Sequence, residues 1–112
     1  MRARLALILL TALAACSSQA DKQLQAVKSA RSVLSEWALV EEQAARGRTP
    51  ATYVEVVRKQ ARDQLRSASR QLSQQPEAAR LLLGFQHGSP DAAELKQAGS
   101  SLEPLEKRLE AS

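Results

Sequence analysis

The chain is poor in the residues that usually brace a small domain. Of 112 residues only Trp37, Tyr53 and Phe85 are aromatic, Cys16 is the only cysteine and His87 the only histidine. One cysteine excludes an internal disulfide framework. One histidine beside it leaves no soft ligand set for zinc or a related metal. The four glycines form no phosphate-cradling loop, and neither a Gly-x-Ser-x-Gly turn nor a paired-carboxylate constellation occurs. No alternating apolar–polar run marks a strand. No apolar run approaches the length of about 20 residues that spans a bilayer. Enzyme chemistry, a resident metal, a cofactor and a small-molecule substrate therefore find no support in the sequence.

The longest apolar run lies at the start. Arg2 and Arg4 precede Leu5, Leu7, Ile8, Leu9, Leu10 and Leu13, and the run closes on Leu13-Ala14-Ala15-Cys16. A short basic stretch, a short apolar stretch and small residues form a secretory signal pattern. With a cysteine directly after the small residues, the segment resembles a bacterial lipoprotein signal peptide with its lipobox. That resemblance covers residues 1–16. It implies cleavage before Cys16, a thioether-linked diacylglycerol on its sulfur and often a further acyl chain on its amino group. Two or three chains anchor stably where one does not. The residue after the cysteine is Ser17 rather than the aspartate that commonly retains such proteins in the inner membrane. In a two-membrane host, the resemblance therefore implies an outer-membrane, periplasm-facing location. The expected division is a signal peptide over 1–15, a lipidated cysteine and short polar tether over 16–22, and a helical domain over 23–112.

Loss of Arg2 and Arg4 lowers the basic count from 16 to 14 against 12 acids, so the net charge falls from +4 to +2. An exported chain with this balance does not suggest a nucleic-acid partner. An alanine-rich interior without disulfides predicts marginal stability, which tight helix pairing, self-association or a partner would raise.

Apolar residues recur every three or four positions through Leu24, Val27, Ala30, Val33/Leu34, Trp37, Val40 and Ala44, predicting a helix over 21–45 that stops at Gly47. Thr49 followed by Pro50 predicts a cap and first turn, with Thr52 and Glu55 as an alternative capping box. The second helix, over 50–74, carries Val54, Val57, Ala61, Leu65, Ala68 and Leu72. Its short connection to the first predicts an antiparallel hairpin. Pro76 opens a third helix over 76–86. Ser89-Pro90-Asp91 repeats the cap-then-proline pattern before a fourth segment with Leu95, Ala98, Leu102, Leu105 and Leu109. Pro104 predicts a kink or break near Ser100. The fold class is all-α: an antiparallel hairpin with one or two shorter helices, forming a small three- or four-helix bundle.

Two candidate contact regions emerge. Arg58, Lys59, Arg62, Arg66 and Arg70 form a basic ladder suited to anionic lipid, glycopolymer or an acidic protein face. The ladder reads foremost, however, as a solvated helix face, which an antiparallel hairpin would bring near Glu36, Glu41 and Glu42 of the first helix. The other region is apolar and comprises Trp37, Leu82, Leu83 and Phe85. Trp37 lies on the first helix's stripe and reads foremost as core, and a partner anchor is its alternative. Three consecutive leucines, 81–83, do not all face one core: the run reads foremost as a short helix buried on several sides, and a partly exposed contact patch is its alternative. His87, Ser89 and Asp91 are adjacent in sequence, but a helix stop, cap and first turn account for them without catalysis. The expected function is a lipid-anchored envelope protein that acts by non-enzymatic protein contact as an accessory or assembly subunit. A basic-face surface binder is the alternative. The expected partners are the membrane and an envelope protein or a second copy.

Overall fold

The computed structural model describes the backbone of residues 2–111 and the side chains of residues 19–111. The Leu13-Ala14-Ala15-Cys16 motif and the lipidation expected at Cys16 lie outside the described side chains. Among the described residues the structure is all-α. Its elements are α1 (Arg2–Ala45), α2 (Ala51–Gln71), α3 (Pro76–Leu83) with a 3₁₀ turn (Gly84–Gln86), α4 (Ala92–Ser101) and α5 (Glu103–Glu110).

α1 and α2 form the expected antiparallel hairpin. Near the loop Arg58 meets Glu41, and at the far end Gln23 Nε2 donates to Gln74 Oε1 at 3.1 Å. The connection turns at Gly47, whose φ of +69° is the left-handed conformation that favours glycine. α4 and α5 run back along α1, with Lys96 paired to Glu42, Arg31 to Glu106 and Lys28 to Glu110. α3 folds back along α2 after a turn at 72–75. α1 thus touches α2, α4 and α5, while α3 is held chiefly through α2.

The core follows the sequence stripes. Val27, Ala30, Leu34, Trp37 and Ala38 of α1 meet Ala61, Leu65, Ala68 and Leu72 of α2. Leu82, Leu95, Leu102 and Leu105 close it from the other elements. Alanines at 26, 30, 38, 61 and 68 let the hairpin helices approach closely, and Trp37 supplies the volume that a chain with few aromatics otherwise lacks. Among the described residues, no buried side-chain nitrogen or oxygen lacks a hydrogen-bond partner.

Several boundaries differ from expectation. Residues 19–22, read as part of a polar tether, continue α1 as helix, since no glycine or proline interrupts them. Pro50, not Thr49, occupies the cap position of α2, and no side chain caps that end. α2 stops at Gln71 rather than residue 74, because the chain must turn before Pro76. Asp91, not Ser89, caps α4: its carboxylate accepts from the Glu94 backbone N–H at 2.8 Å. The break attributed to Pro104 falls at Leu102, which places the proline in the first turn of α5, where its missing N–H leaves no helical bond unmade.

Candidate functional site

Arg58, Arg62 and Arg66 recur every fourth residue of α2, so they share a stripe beside the buried one. That stripe faces the end of α1 and the 3₁₀ turn after α3. Arg58 grips the Glu41 carboxylate with two bonds, Nε to Oε1 at 2.6 Å and Nη2 to Oε2 at 3.0 Å. Trp37 Nε1 donates to the same carboxylate at 3.1 Å. The Arg58 guanidinium holds the Glu41 carboxyl below its ordinary range against the opposing effect of burial. The same pairing raises Arg58.

Arg62 donates to two carbonyls beyond α3, Phe85 O at 3.2 Å and Gly88 O at 2.6 Å. Its guanidinium carbon also stands 5.5 Å from the centre of the Trp37 ring. Arg66 donates to Gln86 Oε1 at 2.9 and 3.2 Å, and Gln86 Nε2 returns a bond to the Arg62 carbonyl at 2.9 Å. Three ladder cations therefore fasten α1, α2 and the end of α3 together. Lys59 and Arg70 are exposed and make no ion pair among the described residues. On α1, Glu41 and Glu42 are both paired, Glu42 with Lys96 of α4 rather than with the ladder. That pair lowers the Glu42 carboxyl.

The apolar candidates separate sharply. Trp37 and Leu82 are fully buried, Trp37 in the core position that its place on the α1 stripe foremost predicts. Each lies on the inward stripe of its helix and belongs to the core. Phe85 is half-buried and packs edge-on against Trp37, with ring centres 6.3 Å apart at 69°. Leu83 alone is well exposed, at 48%.

A third region went unnoticed in the sequence. Leu39, Tyr53 and Val56 are 55%, 54% and 52% exposed. Leu39 and Tyr53, with half-buried Val40 and Val57, edge a groove of about 260 Å³ between α1 and α2, floored by Trp37 and Ala61. It flanks the buried stripe of α2 on the side opposite the arginines, and neither α3 nor α4 contributes to its lining. One signal was available: Val54, Val56 and Val57 lie too close together to share a single core-facing stripe.

Among the described residues, no three or more histidine, cysteine, aspartate or glutamate side chains gather as metal ligands. No helix among them is long and apolar enough to cross a membrane. No protein-family model matches the chain, and neither a curated protein nor a solved structure was found to be similar to it.

Proposed function

We propose that this chain is a small lipid-anchored envelope protein that acts by non-enzymatic protein contact, as an accessory or assembly subunit of an envelope complex. The anchor rests on the signal-like start and Cys16. The mode of action rests on one observation: the well-exposed apolar side chains of Leu39 and Tyr53 line one groove on the hairpin, together with half-buried Val40 and Val57. Contiguous exposed apolar surface of this kind is characteristic of protein contact sites. The surface-binding alternative draws less support, because Arg58, Arg62 and Arg66 are engaged within the fold.

The test is fractionation of cells carrying the full-length chain, with mass analysis of its amino terminus. The expected result is a membrane-bound protein that begins at an acylated Cys16 and is released by Cys16→Ala. A chain that retains Met1, or whose location ignores Cys16→Ala, would overturn the anchoring.

A further inference from the structure

The α1–α2 groove is suited to a particular occupant. Its apolar and amide-lined α2 wall runs from Tyr53 to Gln64, which at 1.5 Å per residue is about 16 Å, or three helical turns. A furrow between two antiparallel helices accepts a third helix laid along it. The lining contains one charged side chain, Glu36, which is exposed and makes no ion pair among the described residues. Gln60 and Gln64 face it from α2 as neutral hydrogen-bonding groups. An occupant is therefore matched by apolar residues along its length and a cation at one point.

Area argues against a second copy. Leu39 and Tyr53, which line the groove, are each about half exposed. Together with Val40 and Val57 they offer on the order of a few hundred Å². A stable dimer face buries roughly 800 Å² per partner. Distance argues against lipid. Residues 19–39 are continuous helix, so Leu39 lies about 30 Å along α1 from residue 19. If Cys16 holds that end at a membrane, an upright α1 carries the groove clear of the headgroups.

We propose that the groove receives an amphipathic helix of about three turns from a second envelope protein, with apolar anchors at i, i+3 or i+4, and i+7 and a lysine or arginine opposite Glu36. The identity of the partner as an envelope protein rests on the anchoring proposed above, whereas the helix-in-groove geometry does not.

The test uses the full-length chain in cells, with a photo-cross-linking residue at position 39 and, as a control, at position 83. The expected result is a strong adduct from 39 and none from 83. The captured peptide should be an amphipathic helical segment of another protein with a basic residue on its apolar margin. Tyr53→Lys should lower the adduct yield about tenfold, and Glu36→Lys should also lower it, with unchanged thermal unfolding of the purified variants. An adduct with this same chain, with lipid alone, equal capture from 83, or a yield indifferent to Tyr53→Lys would overturn the proposal. The mass of the Cys16 peptide from the same cells separates the two ideas. Protein capture with an unacylated Cys16 sinks the anchoring alone, and an acylated Cys16 without capture sinks the groove alone.

Discussion

Arg62 lies over the face of Trp37, 5.5 Å from the ring centre, while its guanidinium donates to the carbonyls of Phe85 and Gly88. One exposed-looking arginine thereby covers the largest core side chain and caps the end of α3. Such a residue contributes through geometry as well as charge.

Arg62→Ala should therefore destabilise the fold by about 2 kcal/mol, through loss of the ring contact and two charge-assisted bonds. Arg62→Lys should recover only part of that loss, because an ammonium cannot reproduce the planar fork. Urea unfolding followed by Trp37 fluorescence measures both. Equal stability of the wild type and the alanine variant would show the stripe to be a solvated face.

Adjacent leucines on α3 should behave oppositely. Leu82 is completely buried and Leu83 is 48% exposed. Leu82→Ala should lose about 2–5 kcal/mol, whereas Leu83→Ala should change stability by less than about 0.5 kcal/mol. The two midpoints of chemical unfolding decide the matter, and similar values would mean that α3 sits differently on α2.

Acid should loosen the hairpin through Glu41. Its carboxyl titrates lower in the folded chain than in the unfolded one, chiefly because Arg58 holds the carboxylate. The stabilisation is full above the ordinary glutamate range near 4.5 and is lost as the pH falls from there through the depressed folded value. The lowered carboxyl of Glu42, paired with Lys96, acts in the same direction. Glu41→Gln should flatten the acid limb of the stability–pH curve while leaving Trp37 Nε1 an acceptor. A limb of unchanged steepness would mean that the Arg58 pair contributes nothing to folding.

The turn glycines should be replaceable at a modest, purely conformational cost. Gly47 and Gly88 have φ of +69° and +84°, and a Cβ at either would meet nothing within 4 Å. Alanine at either position should cost about 1 kcal/mol from left-handed strain, without steric damage. A much larger drop in melting temperature would reveal a contact beyond the backbone angle.

The helices were legible because their stripes are long and their punctuation is strong. Gly47 and Pro76 marked a stop and a start that the structure keeps. Caps were harder to place, because several neighbouring residues qualify: Ser89 and Asp91 both have the chemistry, and only the path of the chain selects Asp91. The ladder's spacing revealed a common face, but not that Arg62 and Arg66 reach the turn beyond α3. That pairing depends on how a short helix folds back, which local periodicity does not encode. The α1–α2 groove escaped notice for a related reason. Leu39, Val40 and Val57 resemble ordinary core residues until the side on which α3, α4 and α5 pack is known.

The order of elements along the chain sets the order in which the core closes. α1 emerges first, yet its buried face waits for α4 and α5, as the Arg31–Glu106 and Lys28–Glu110 pairs show. Until those last helices arrive, Val27, Ala30 and Leu34 have only α2 to cover them. A chain that has not yet supplied α4 and α5 is therefore incompletely packed, and core completion waits on the elements after Gln86.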